Sequence, residues 1–289
     1  MTASASADKM VAEVRERYGK IAEGRIEGCC GPSPTPCGGG SVEAVSQALG
    51  YSQAEVESLA DANLGLGCGA PIAHLRLQPG EHVLDLGSGA GIDVFLAAKQ
   101  VGPEGRVIGV DMTPEMLGKA RANATRLGYS QVEFREGRLE RLPVVDASID
   151  AVTSNCVVNL VPDKAAVFHE VARVLKPGGR LVISDIILDG PLPAAIEKDV
   201  YAYVGCISGA KQREAYFAAV EGAGLRDVEI LKDVDYLGAM IDAAPDEVQA
   251  LLERTGVAAS DLRGKVRSVT FRACKREAAA SCCGPTCCA

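Results

Sequence analysis

Val83-Leu84-Asp85-Leu86-Gly87-Ser88-Gly89-Ala90-Gly91, followed by Val107-Ile108-Gly109-Val110-Asp111-Met112, decides the architecture. The apolar Val83, Leu84 and Leu86 lead into a glycine turn, and Ile92 to Lys99 then carries a helical pattern. The turn therefore falls where a parallel strand hands over to a helix. Glycine suits it because the backbone must turn tightly and approach a ligand closely. Asp111 follows about twenty residues on, at the tip of the next strand, where an acid accepts hydrogen bonds from both hydroxyls of a ribose. A flexible surface loop would need no such acid.

Two features favour S-adenosylmethionine over a dinucleotide. Asp85, just before the glycines, would repel a pyrophosphate and suits a ligand carrying a charged amino group. The spacing Gly87-x-Gly89-x-Gly91 also departs from the dinucleotide fingerprint Gly-x-Gly-x-x-Gly. Working outward, the pattern predicts strand 82–86, helix 92–100, strand 106–110, helix 114–127, strands 131–135 and 149–153, helix 163–174 and strand 179–186. Such alternation implies a parallel sheet with right-handed crossovers. From about Pro79 to Asp185 the chain resembles the seven-strand class I methyltransferases. The expected fold is thus α/β, a Rossmann-like seven-strand class I methyltransferase sheet with an N-terminal helical cap and an insertion over the strand ends. The resemblance implies that Leu225–Leu231 and Val266–Ala273 close the sheet as an antiparallel pair.

The flanks read differently. Met10, Val11, Val14, Tyr18 and Ile21 recur at helical spacing over residues 8–22, with Asp8 as candidate N-cap. The Gly/Pro-rich stretch 28–40 can hold neither helix nor strand and carries Cys29, Cys30 and Cys37. Residues 194–219 read as helices interrupted at Gly205–Gly209, and residues 275–289 read as a disordered tail. The expected division is 1–60 for N-terminal helices and Cys-rich loop, 61–275 for the methyltransferase domain with an insertion at about 190–215, and 276–289 for the Cys-rich tail.

The chain has 289 residues, 47% of them hydrophobic, enough for one full core with additions. A net charge of -8 opposes a broad phosphate-binding surface, so no nucleic-acid partner is expected. No apolar run approaches the roughly 20 residues needed to span a bilayer, and no signal segment is evident. No membrane partner and a cytoplasmic location are expected. In a reducing compartment the eleven cysteines are free for metal binding, catalysis or redox cycling.

Ligands of such sheets gather outside the carboxyl ends of the strands, where Asn155 and Cys156 emerge. The Asp/Asn-Pro-Pro-aromatic motif common in nucleobase amino-methyltransferases is absent at that position. His74, His82 and His169 fall in unrelated elements and suggest no base for an oxygen acceptor. Leu64-Gly65-Leu66-Gly67-Cys68-Gly69-Ala70-Pro71, Ser154-Asn155-Cys156-Val157-Val158-Asn159-Leu160, Tyr203-Val204-Gly205-Cys206-Ile207-Ser208-Gly209-Ala210 and Gly109-Val110-Asp111-Met112-Thr113-Pro114 together resemble arsenite S-adenosylmethionine methyltransferases. The resemblance implies that Cys156 and Cys206 hold As(III), and that Cys68 and an N-terminal thiol take part in ligation and disulfide exchange; Cys29, Cys30 and Cys37 are all candidates for that thiol, with Cys30 preferred. It places Gly87, Ser88, Gly89 and Gly91 along the methionine and ribose of S-adenosylmethionine, Asp111 on the ribose, and Met112, Leu139 and Glu140 at the adenine. Asn155 is expected at the methionine end, and Asp85 at its amino group or a bridging water.

As(III) is soft and thiophilic, and converging thiolates hold it as a pyramid whose lone pair stays free to take a methyl group. No general base is then needed. Methylation formally oxidises arsenic, so thiols supply electrons and an external reductant, thioredoxin or glutathione, restores them. Many bacterial relatives carry Gly-Cys-Gly-Asn-Pro where this chain has Gly67-Cys68-Gly69-Ala70-Pro71, so an amide is absent here. The tail cysteines Cys282, Cys283, Cys287 and Cys288 lie outside the family core and are as consistent with arsenic capture as with no catalytic role. Two rivals stay open: a small-molecule methyltransferase with incidental cysteines, and a thiol protein that sequesters As(III). Zinc is less favoured, since no Cys-x2-Cys pairs with a second.

Overall fold

A computed structural model describes residues 3–25, 42–199, 202–203, 206–243 and 245–277. Eight strands form one sheet: β1 (His82–Leu86), β2 (Arg106–Asp111), β3 (Val132–Glu136), β4 (Ile149–Asn155), β5 (Leu175–Leu188), β6 (Lys211–Gln212), β7 (Leu225–Asp235) and β8 (Val266–Lys275). The main path runs β3-β2-β1-β4-β5-β8-β7, with the two-residue β6 paired to β5. Strands β1 to β5 are mutually parallel, and β8 runs antiparallel to both β5 and β7. The seven-strand path with an antiparallel end is the class I methyltransferase sheet expected from the sequence.

Alternation along β1 sorts its side chains between two layers. Val83 packs in the core that includes Val94, Phe95 and Ala98 of helix Ile92–Val101. Leu84 and Leu86 pack in the opposite core with Val167, Phe168 and Val171 of helix Lys164–Val174. Asp85 shares the Val83 side and is almost fully buried, so the strand delivers one carboxylate to the cofactor-side layer. An edge-to-face cluster anchors the other layer, with Tyr216 5.5 Å from Phe168 and 5.9 Å from Phe271 between ring centroids. Each such contact adds about 0.5–1.5 kcal/mol beyond area burial.

The sheet order reverses between β1 and β4, the position at which open α/β sheets leave a crevice. Local chemistry builds its rim. Gly87, Gly89 and Gly91 have φ of 69°, 51° and 101°, left-handed values that side chains disfavour. A Cβ on Gly109 would come within 2.7 Å of Ser88 Oγ, so the glycine of β2 makes room for the turn.

Several expectations need correction. The first helix runs Ala3–Ala22, so Asp8 lies inside it and is not its N-cap. The interruption expected at 205–209 falls at turns over 206–209, between helical residues 202–203 and helix Arg213–Gly222, and the sequence pattern missed only the two-residue β6 before that helix. Close approach enforces the turns, because a Cβ on Gly209 would sit 2.4 Å from the Asn159 carbonyl oxygen. Between β7 and β8 three helices, Tyr236–Ala243, Pro245–Thr255 and Ala259–Leu262, occupy a region that the sequence pattern left unassigned. Cys274, at the end of the last strand with no motif around it, reads from the sequence as a buried core residue, yet it is only half-buried because alternation along β8 turns Phe271 and Ala273 inward instead. The Cys29–Cys37 loop and the tail cysteines lie outside the described residues. No helix among the described residues is long and apolar enough to cross a membrane.

Candidate active site

A cleft opens above the carboxyl ends of β1, β2 and β4, with about 1220 Å³ of empty space including its mouth. Asp85, Gly87, Ser88, Gly89, Asp111, Met112, Leu139, Glu140 and Asn155 all line it. Gly91 stands behind the wall, where a Cβ would come within 2.8 Å of the Phe95 ring. Its glycine thus serves packing and the helix start. The first helix covers one side with Val11, Val14 and Tyr18, residues that sequence reasoning placed on a helix but not at the site.

Asp111 organises the turn. Its Oδ2 accepts from the Gly89 N–H at 2.9 Å, and its Oδ1 accepts from the Thr113 N–H at 2.8 Å. Each oxygen retains acceptor capacity for a further donor. Burial raises the Asp111 carboxyl above its ordinary pKa despite those N–H donors. Asp85 is pushed well above its usual range by burial and by the charges of Asp93 and Asp111. Burial also raises Asp93, to about 6, against hydrogen bonds from Tyr51 and Asn155. Three crowded carboxyls of this kind favour a cationic ligand, which would relieve their mutual repulsion. Ser88 Oγ is buried with no hydrogen-bond partner among the described residues, a polar atom left for a ligand at the turn. These features fit S-adenosylmethionine, whose ammonium and sulfonium are positive and whose ribose carries two donors.

Cysteine side chains form the far wall. Cys156 follows β4 directly, and Cys206 lies in the turns after helix Ala194–Glu197; both line the cleft. They adopt φ of 61° and 64°, left-handed conformations uncommon for cysteine that occur at strained functional positions. The Cys206 thiol donates to the Cys156 carbonyl at 2.7 Å, and the Cys156 N–H donates to the Ser184 carbonyl at 2.8 Å. Cys68, only 2% exposed, sits behind the cleft wall. Its sulfur, the Cys156 sulfur and an Asp185 oxygen all lie within 4.8 Å of one another. The structure therefore brings together the three scattered thiols named from the sequence; Cys30 lies outside the described residues.

Burial raises the Cys68 thiol above its ordinary pKa. For Cys156 the hydrogen bond with Cys206 favours the thiolate, but the bond with Cys68, burial and nearby negative charge outweigh it and hold the thiol well above its usual value. Both effects favour the protonated form of Cys68 and Cys156.

Asp185 was missed in the sequence. It is held by Tyr216 OH, which donates to Oδ2 at 2.8 Å, and by Asn159 Nδ2, which donates to Oδ1 at 2.9 Å. Burial raises it to about 7 against the Tyr216 bond and the charge of Lys164. Lys164, itself largely buried, falls to about 8 because burial outweighs the attraction of Asp185. The only sequence signal for Asp185 was an acid inside an apolar strand, Ile183-Ser184-Asp185-Ile186, one residue beyond the Ser184 that pairs with Asn155.

The sheet order, glycine turn and acid-lined cleft define a class I methyltransferase, and the methyltransferase-domain family matches residues 77–256. Within that class the chain belongs to the arsenite methyltransferase family. It is 49% identical over 225 residues to an arsenite methyltransferase of Halobacterium salinarum, covering 75% of this chain and 57% of that protein. It is 36% identical over 231 residues to one of Aquipseudomonas alcaligenes, covering 76% and 63%. The chain therefore spans roughly three fifths of the length of these two curated relatives. The crystal structure of an arsenic(III) S-adenosylmethionine methyltransferase from Chlamydomonas reinhardtii is similar at 31% identity and a TM-score of 0.58, covering 82% of this chain and 74% of that one. Geranyl diphosphate C-methyltransferase of Streptomyces coelicolor, at 19% identity and a TM-score of 0.61, shares the fold alone.

Proposed function

We propose that this protein methylates trivalent arsenic, arsenite and methylarsenite, with S-adenosylmethionine as methyl donor. The observation that carries the reading is that Cys156 and Cys206 line the acid-lined cleft while Cys68, just behind its wall, has its sulfur within 4.8 Å of the Cys156 sulfur. Membership in the arsenite methyltransferase family supports it.

Asp111, Gly87, Ser88, Gly89, Met112, Leu139 and Glu140 would hold S-adenosylmethionine, with Asp85 near its amino group. When bound, it supplies an electrophilic methyl group. The thiols exchange onto arsenite: each As–O bond breaks as an As–S bond forms, and each thiol proton leaves with the hydroxide as water. High thiol pKa values are compatible with this exchange, because the leaving hydroxide takes the proton. The product is a neutral trithiolate whose arsenic lone pair is free. Buried apolar walls exclude water, and the fixed thiols orient the lone pair toward the cleft, so catalysis is mainly positioning. Methyl uptake oxidises As(III) to As(V); two thiols return two electrons by closing a disulfide, which thioredoxin or glutathione then reduces. Cys30 is the candidate partner for that exchange.

The reading is tested with arsenite, S-adenosylmethionine and a thiol reductant, following methylarsenicals chromatographically. Product that disappears in Cys156→Ser supports it. Arsenite held tightly by the parent but never methylated would favour sequestration instead.

A further inference from the structure

Asn155 was expected at the methionine end of the cofactor, yet its amide is engaged by the chain itself. Its Oδ1 accepts from the Cys68 N–H at 3.0 Å and the Gly69 N–H at 3.3 Å. Its Nδ2 donates to the Gly69 carbonyl at 2.7 Å and the Tyr51 hydroxyl at 2.9 Å, with Asp93 Oδ2 at 3.3 Å. A primary amide has two N–H donors and one oxygen with two lone pairs, so these contacts occupy its capacity. The loop also lies flat against the amide, because a Cβ on Gly67 would come within 2.9 Å of both its terminal atoms.

The three thiols differ in what fixes them. Cys156 is held by its place at the end of β4 and by its bond to Ser184 on β5. Cys206 is held by its N–H, which donates to the Tyr203 carbonyl at 2.9 Å, besides its thiol's bond to the Cys156 carbonyl. Cys68 belongs to a segment, Asn63–Pro71, with neither helix nor strand. Apart from the Ser268 hydroxyl that donates to the Cys68 carbonyl, the backbone around it is secured by Asn155, 87 positions away in the chain. The clamp is itself oriented, since the Tyr51 hydroxyl that accepts from Asn155 donates to Asp93 Oδ1 at 2.9 Å. Asp93 stands in the first turn of the helix that follows the glycine turn.

We infer that Asn155 is a positioning residue for the third thiol: it clamps the Cys68 loop onto the strand end that presents Cys156, with Tyr51 and Asp93 orienting its amide. Engagement of Cys68 is thereby coupled mechanically to the helix beside the cofactor cleft. Without the clamp the other two thiols keep their own anchors, and arsenic is held by two sulfurs in place of three. The inference rests on the thiol cluster being the arsenic site.

The test is site-resolved. The full reduced chain is exposed to a small alkylating reagent with and without arsenite, and the modification rate of each cysteine is read by peptide mass spectrometry. In the parent, arsenite slows alkylation at Cys68, Cys156 and Cys206. In Asn155→Ala, protection at Cys156 and Cys206 persists while protection at Cys68 falls by about tenfold, equivalent to about 1.4 kcal/mol. Tyr51→Phe, a milder change that keeps the ring in the core, gives a smaller loss confined to Cys68. A purely structural role would move all three thiols together, so uniform loss in both variants overturns the inference, as does unchanged Cys68 protection. Failure of arsenite to protect any of the three in the parent overturns the function reading itself, a separate outcome from failure of the clamp.

Discussion

Cys206 donates its thiol hydrogen to the backbone carbonyl of Cys156 across 50 positions of sequence, and both residues hold left-handed backbone conformations. Conformations of this kind cost about 1–3 kcal/mol each for a non-glycine residue. Here that cost accompanies two sulfurs aimed into one cleft. Replacing either cysteine by glycine should relieve backbone strain while removing a ligand. Cys206→Gly should therefore unfold no earlier than Cys206→Ser by thermal denaturation, with arsenite binding weakened in both. A lower midpoint for the glycine variant would contradict the strain.

Asp111→Ala should weaken S-adenosylmethionine binding by at least about tenfold, because it removes a carboxylate acceptor and the partner of two backbone N–H groups of the turn. Calorimetric titration reads this directly, and unchanged affinity would remove Asp111 from the cofactor site.

Gly87→Ala should be destabilising by about 1–3 kcal/mol. The residue has φ of 69°, and a Cβ there would come within 2.4 Å of the Val157 side chain, the neighbour of Cys156. Denaturant unfolding measures the loss. Gly118→Ala is the control: nothing lies within 4 Å of its added Cβ, and its φ is not positive.

Folding favours the neutral form of Asp93, whose pKa rises from 3.8 to about 6. A raised carboxyl contributes stability that is fully present below its unfolded pKa and is lost as pH rises through its folded one. The facing groups are Tyr51, Asn155, Asp85 and Glu55. Asp93→Asn should thus gain stability relative to the parent as pH rises from about 4 to about 7. Melting temperatures of the two proteins across that range supply the check, and a constant difference would refute the shift.

Period and glycine placement made the parallel core legible. Val83–Gly91 and Arg106–Asp111 carry one-dimensional signals that the sheet reproduces, and the antiparallel end followed from resemblance. The thiol cluster was legible only through motif strings, since Cys68, Cys156 and Cys206 are separated by turns whose geometry depends on tertiary contact. Asp185 and Asn155 show why the rest was hidden. An acid within an apolar strand reads as an interruption until Tyr216 and Asn159 are seen to hold it. The hold of the Asn155 amide on the Cys68 loop was hidden because that loop lies 87 positions upstream. The helices after β7 escaped because Tyr236–Ala243 is short and small-residue-rich and Pro245 starts its successor.

Arsenic speciation tests the central claim most directly. Reduced parent protein and Cys156→Ser are incubated with arsenite, S-adenosylmethionine and thioredoxin or glutathione, and the arsenic species are separated and quantified by elemental mass detection. The account predicts methylated arsenic from the parent alone; unmethylated arsenite from both, or equal product from both, would contradict it.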